Sequence, residues 1–434
     1  MAHQNKPMPA HELNNKKTIN AWALFDWANS AYALVISTAI FPGYYEEFTP
    51  DILNIGHFEF SNTALYSFAV SFSYLIIAAL SPLLSGIADF SGRRMFFLRI
   101  FTLIGSLSCT ALYWFEGAPQ LWLGTSAFIL ATIGFAGSLV FYDSYLPLIV
   151  TEDKYNTVSA KGYTLGYIGS VILLIGILVM IQKPEWFNIS GGQHAARIGF
   201  ALVGIWWLGF AQYTFYHLPK DKKAFFHWSV LKNGYKEIYQ AWLSVKVMPN
   251  IRNFLIAFFF YSAGVQTVIY LATIFAKVEL NFETAELILL VLILQLVAIG
   301  GAYLFSMIGN KKGNRFAILI MIAIWIFICI NAYFITEKLY FYSIASLVGM
   351  VMGGIQSVSR ATYSMLIPEK NHHTTSYFSF YDVVYKTSIV SGTFIFGFVD
   401  NLTHNMRYSV LALALLFVVG FYFMYKTIIH PKSI

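Results

Sequence analysis

The 434-residue chain is predicted to be an all-α integral membrane protein with twelve transmembrane helices in two six-helix bundles. Three observations predict this. The composition is 58% hydrophobic and only 11% charged, against about 25% charged in a soluble domain, which excludes a water-soluble globule. Apolar stretches of about 20 residues, enough to cross a ~30 Å hydrocarbon core, recur from Ala21 to the C terminus. The longest basic loop falls after the sixth of them and divides the chain into equal sets.

Residues 1–20 are polar, carry Lys6, Lys16 and Lys17, and lack the apolar core and small-residue cleavage site of a signal peptide, so they are expected to form a tail. The first bundle, 21–217, holds spans 1–6 at 21–41, 63–84, 95–115, 121–150, 160–182 and 197–217. In the linker, 218–251, Phe225, Trp228, Leu231, Tyr235, Ile238 and Trp242 recur at helical spacing among Lys232, Lys236 and Lys246. That pattern suits a helix lying among lipid headgroups, with a solvated linker as the alternative. The second bundle, 252–429, holds spans 7–12 at 252–276, 285–308, 315–335, 340–367, 379–399 and 407–429. Residues 430–434 form a second tail.

Charge placement predicts orientation, because Lys and Arg accumulate in cytoplasmic loops. Of the 28 basic residues, Lys183, Arg197, Lys277, Lys338 and Arg407 fall in loops on one face and Arg99, Arg360 and Lys386 within spans; the other twenty share the face of the N terminus. Both termini are therefore expected in the cytoplasm, and in a bacterium the protein would sit in the inner membrane. The net charge of +7 reports this topology and gives no reason to expect nucleic-acid binding. Trp114, Trp122, Trp186 and Trp207 lie near predicted span ends and are expected at the membrane interface.

Several chemistries find no support. Cys109 and Cys329 lie in apolar segments, and the ten His are scattered, His372 and His373 adjacent in a loop, without the spacing of a helical metal site. There is no phosphate-cradling Gly-rich loop and no dinucleotide fingerprint. We expect no cofactor, no metal, no direct use of ATP and no catalytic residues. The expected partners are a small-molecule substrate, membrane lipids and protons, and a monomer suffices.

The halves echo each other. After span 2 comes Asp89-Phe90-Ser91-Gly92-Arg93-Arg94, and after span 8 comes Asn310-Lys311-Lys312-Gly313-Asn314-Arg315. Both are short basic turns in which Gly permits a positive φ. The run Ser85 to Arg94 resembles the loop 2–3 signature of the major facilitator superfamily. Trp22-Ala23-Leu24-Phe25-Asp26-Trp27-Ala28-Asn29-Ser30-Ala31-Tyr32 is similar to the hallmark of its vacuolar-effluxer-like branch. Phe141 to Pro147, Gly162-Tyr163, Gly166-Tyr167-Ile168-Gly169 and Gly353 to Arg360 with Ile367-Pro368 extend the likeness over nearly the whole chain. The resemblance implies a twelve-helix transporter rocking about a midplane site, and amino acids as substrate. Span 5 has no Pro, unlike the antiporter signature, which speaks against drug/proton antiport.

Ionisable side chains within spans are costly and therefore candidates for function. Asp26, Asn29 and Ser30 fall at i, i+3 and i+4, one polar stripe on span 1, with Trp22 and Trp27 on other sides. The resemblance makes spans 1, 4, 7 and 10 line the cavity, which nominates Asn29, Ser30, Tyr142, Asp143, Tyr261, Gln266, Gln356 and Arg360. Asp26 would accept a substrate ammonium and Arg360 would hold its carboxylate in bidentate fashion. Asp89, Arg93, Asp143, Arg360, Asp382 and Lys386 are read as a cytoplasmic latch; alternatively Asp26, Asp143 or Asp382 carries a coupling proton. Asp382 and Lys386 are expected to open span 11 as an i,i+4 pair. Gln295 is expected to satisfy an inter-helix hydrogen bond. Rival readings are transport of sugars, organic acids or drug-like cations, a non-transporting sensor, and a membrane enzyme, which the absence of any nucleophile–base constellation disfavours.

Overall fold

The computed structural model describes residues 13–55, 58–221, 228–368 and 374–429. Phe225, His372 and His373 lie outside the described residues. Twelve helices among them are long and apolar enough to cross a membrane: Lys16–Phe48, Leu65–Ser91, Arg94–Trp114, Ala118–Ile149, Glu152–Gln182, Gly192–His217, Pro249–Leu280, Glu286–Lys312, Asn314–Phe334, Lys338–Leu366, Thr374–Thr403 and Met406–Lys426. These are spans 1–12. Most run past the expected limits, since a helix continues into the headgroup region after the apolar stretch ends.

The packing repeats at an offset of six spans. Pairs 1–5, 2–4, 3–4, 3–6 and 1–6 of the first half recur as 7–11, 8–10, 9–10, 9–12 and 7–12 in the second. Spans 2 and 5 meet 11 and 8 across the interface. Buried apolar side chains form two clusters, one drawn almost wholly from each half. Trp207 corrects an expectation: it is fully buried in the first cluster, where its ring packs over Gly105, while Trp114, Trp122 and Trp186 are exposed.

Local chemistry explains the irregular places. Gly92 and Gly313 both adopt positive φ, 66° and 88°, so the two basic turns close as their sequences predict. Span 1 contains a π-helical stretch, Tyr32–Ile40, just before Pro42, where an uninterrupted α-helix was expected. Such a wide turn displaces the side chains that follow and is common at functional sites. A hairpin, β1 (Ile52–Ile55) and β2 (Phe58–Ser61), joins spans 1 and 2 with Ile52 opposite Ser61. The main helix of span 4 ends at Asp143, and Pro147 starts the short continuation Leu146–Ile149. In the linker a helix forms over Trp228–Val247 and packs on span 2, with the Trp242 ring 5.8 Å from Phe380.

Candidate functional site

The polar stripe of span 1 faces a cavity of about 230 Å³ between the halves, and Asp26, Asn29 and Ser30 all line it. From span 5 comes Tyr167, whose hydroxyl donates to Gln356 Oε1 at 2.7 Å. Gln266 of span 7 and Lys386 of span 11 complete the opposite wall. Two amide atoms are buried here without a partner among the described residues, Asn29 Nδ2 and Gln295 Oε1. Gln295, expected to satisfy an inter-helix hydrogen bond, lines the cavity with its Oε1 unpaired among the described residues.

On the side of the basic loops the cavity floor is one buried charge cluster. Arg360 is 1% exposed. Its Nη1 donates to Asp26 Oδ2 at 3.2 Å and to Asp143 Oδ1 at 3.0 Å. Nη2 donates to Asp26 Oδ2 at 3.2 Å and to the Ser159 carbonyl at 2.9 Å, and Nε to Ser159 Oγ at 3.0 Å. These bonds match the five N–H groups of a guanidinium. Tyr163, Trp22 and Tyr142 rings lie 4.2, 4.7 and 5.5 Å from its central carbon, within cation–π range. Tyr142 donates to Asp26 Oδ2 at 2.8 Å, and Trp22 Nε1 donates to the Tyr142 carbonyl at 3.0 Å.

The local sequence explains how this cluster forms. Gly162 faces it from span 5, and a Cβ there would run into the Asp26 carboxylate and come within 2.9 Å of Arg360 Nη2. Asp143 sits at the C-terminal end of its helix, where the dipole disfavours an anion, and Arg360 offsets that cost. Tyr142 is buried behind the cluster and does not reach the cavity. Trp22, which the stripe argument set aside, forms one wall of the cluster.

Two further groups hold the halves together. Lys386 pairs with Asp382, and the pair spans the interface: Lys386 Nζ lies 3.4 Å from the Ala136 carbonyl of span 4, and Ser81 of span 2 donates to Asp382 Oδ2 at 3.3 Å. Span 11 starts at Thr374, so Lys386 stands about 18 Å into the helix at 1.5 Å per residue. The pair thus belongs to the cavity wall and not to the opening turn of the helix. At the basic face, Asp89 accepts the Thr375 and Ser376 N–H groups at 3.2 and 2.7 Å, capping span 11. Arg94 donates to Asp89 at 3.0 Å and to Thr375 Oγ1 at 2.6 Å, and Arg93 lies over the Phe96 ring. Arg94, one residue beyond the nominated Arg93, therefore ties the turn after span 2 to the start of span 11. The second turn does the same with neutral groups, as Asn156 of span 5 donates to Asn314 at 2.6 Å and to Asn310 at 3.0 Å. Tyr261 shares a 2.8 Å hydrogen bond with Ser359 beside the cavity.

Two pseudo-repeated halves around one polar cavity, joined at one face by capped helix ends and ion pairs, define a secondary transporter of the major facilitator type. The chain belongs to the family described as vacuole effluxer Atg22 like, whose model matches residues 14–157 and 152–431. It is 30% identical to the MFS-type transporter YxiO of Bacillus subtilis (strain 168) over 93% of each chain. It is 27% identical to autophagy-related protein 22 of Vanderwaltozyma polyspora, over 83% of this chain and 76% of that one. Its fold is similar to that of FucP, a major facilitator superfamily transporter in the outward conformation. The TM-score is 0.69 at 14% identity, covering 95% of this chain and 98% of that one.

Proposed function

We propose that the protein carries amino acids across the cell membrane by alternating access, coupled to protons and acting as a monomer, with both termini cytoplasmic. The observation that carries this reading is the mid-depth cavity, closed on the basic face, whose walls offer Lys386 and Asp382 beside the amides of Asn29, Gln266, Gln295 and Gln356. A zwitterion needs both charge signs and neutral donors within one small space. On this reading the basic face is cytoplasmic, and the Asp89, Arg94 and Arg360 contacts form the cytoplasmic latch. Asp26, Asp143 and Asp382 are the carboxylates available to take the proton.

The test is flux. Purified protein in liposomes should accumulate labelled amino acids from a mixed pool when a pH gradient is imposed, relative to empty vesicles. Equilibration indifferent to the gradient would remove proton coupling and keep the substrate class. Folded protein that moves no amino acid would redirect the assignment to sugars, organic acids or cations, and ligand binding without any flux would identify a sensor.

A further inference from the structure

The parts of the charge cluster divide unequally between the halves. Trp22 and Asp26 of span 1, Tyr142 and Asp143 of span 4, and Ser159, Gly162 and Tyr163 of span 5 all belong to the first half. The second half contributes Arg360. The first half therefore carries a complete receptor for an organic cation, with two carboxylates, a carbonyl and three aromatic faces, and the second half inserts a guanidinium into it. Opening of the basic face must withdraw span 10 from spans 1, 4 and 5. Withdrawal would leave two carboxylates in an aromatic pocket, where a bound cation or a proton must offset the charge.

We propose that this cage is a second ligand site, specific for a primary ammonium or guanidinium group, for which Arg360 is the tethered stand-in while the basic face is closed. When that face opens, the ammonium of the solute takes the place of the guanidinium between Asp26, Asp143, Trp22 and Tyr163. Closure returns Arg360 to the cage and displaces the ammonium toward Asn29 and Ser30, one turn further along span 1. Arg360 and the solute thus compete for one position, and their exchange links occupancy to the closing of the basic face. The proposal rests on the amino acid reading for the natural occupant alone; the cage itself is tested without amino acids.

Wild-type protein, Arg360→Ala and Arg360→Ala/Asp26→Asn are reconstituted in nanodiscs, and their thermal unfolding is followed during titration with methylguanidinium or ethylammonium chloride. Sodium chloride at equal ionic strength is the control. A saturable rise in melting temperature of several degrees is expected for Arg360→Ala, with at least a tenfold weaker response for the wild type, where Arg360 competes, and when Asp26 is also changed. Folded Arg360→Ala that shows no response, or an equal response in all three proteins, would overturn the proposal. If Arg360→Ala does not fold, Asp89→Asn, which loosens the latch but keeps Arg360, should gain a cation response that Asp89→Asn/Asp26→Asn lacks, and no such difference would overturn it equally. Failure of amino acid flux in liposomes leaves this titration unaffected, so the two readings fall separately.

Discussion

Arg360 shows how much one side chain carries. Its removal leaves Asp26 and Asp143 buried without their counter-charge, and breaking a buried pair on one side costs roughly 3–5 kcal/mol. Arg360→Ala should accordingly melt well below wild type, while Asp26→Asn, which leaves Asp143 to hold the guanidinium, should fold and express yet lose coupled transport. Proton-driven flux unchanged in Asp26→Asn would take that carboxylate out of the mechanism. Gly162 and Gly176 give a paired test on one helix. A Cβ at Gly162 meets the charge cluster, whereas one at Gly176 meets nothing within 4 Å. Overpacking costs about 1–3 kcal/mol, so Gly162→Ala should lower the melting temperature and the transport rate and Gly176→Ala neither. At this scale the sequence exposed Asp26 and Arg360 because an ionisable residue in an apolar span stands out. It concealed Trp22 and Gly162, since an aromatic or small residue in such a span looks like ordinary packing.

Among the elements, span 11 and the link from span 6 to the linker show where periodicity runs out. The residues from Thr374 to Phe378 include four hydroxyl side chains, so an apolar window starts the span too late; Asp89 supplies the missing cap from another helix. Asp221 does the same for span 3, its two oxygens accepting the Met95 and Phe96 N–H groups at 2.7 Å each. Loss of a cap costs about 1 kcal/mol, and Asp221→Ala should lower stability by that order in thermal unfolding. Burial pushes the Asp221 carboxyl above its ordinary 3.8 although both N–H groups favour the anion. The folded protein therefore binds this proton more readily than the unfolded chain. The contribution of Asp221 to stability should grow as pH falls from its raised value toward 3.8, the reverse of an ion-paired aspartate, and should vanish in Asp221→Asn. The repeated basic turns were legible from Gly92 and Gly313 alone, because a tight turn with positive φ has few sequence solutions. The π-helical stretch of span 1 was not, since no apolar or polar spacing distinguishes it from an ordinary helix.

The whole molecule is closed at one face by contacts exchanged between the halves. The turn after span 2 caps the start of span 11, and the turn after span 8 holds the start of span 5, which is the same contact under an offset of six spans. One copy is ionic and the other neutral, so the ionic copy is the more sensitive to substitution. Cys109 and Cys329 are both buried, so a cysteine introduced at Ser37 in the cavity wall would report access with little background. With the protein in oriented vesicles, Ser37→Cys should react with an impermeant maleimide from the face opposite the basic loops. Adding Asp89→Asn should shift labelling toward the basic face by several-fold, and unchanged labelling would show that the Asp89 contacts satisfy local groups without holding the conformation.

Spacing along the chain was enough to give the membrane class, the count of spans, the pseudo-repeat and the stripe of Asp26, Asn29 and Ser30. Each is a property of spacing along one chain, and the bilayer permits few ways to satisfy apolar segments and backbone hydrogen bonds together. Which charges meet emerged from the packing of the helices. It assigned Arg360 to Asp26 and Asp143, gave Asp89 to span 11, placed Lys386 at mid-depth, and left Asn29 and Gln295 in the cavity wall, each with a buried polar atom unpaired among the described residues. Those pairings join residues more than 200 positions apart, between helices whose relative rotation no local pattern encodes. The desolvation cost of a lone buried charge required that partners exist, and the packing of the two halves selected them.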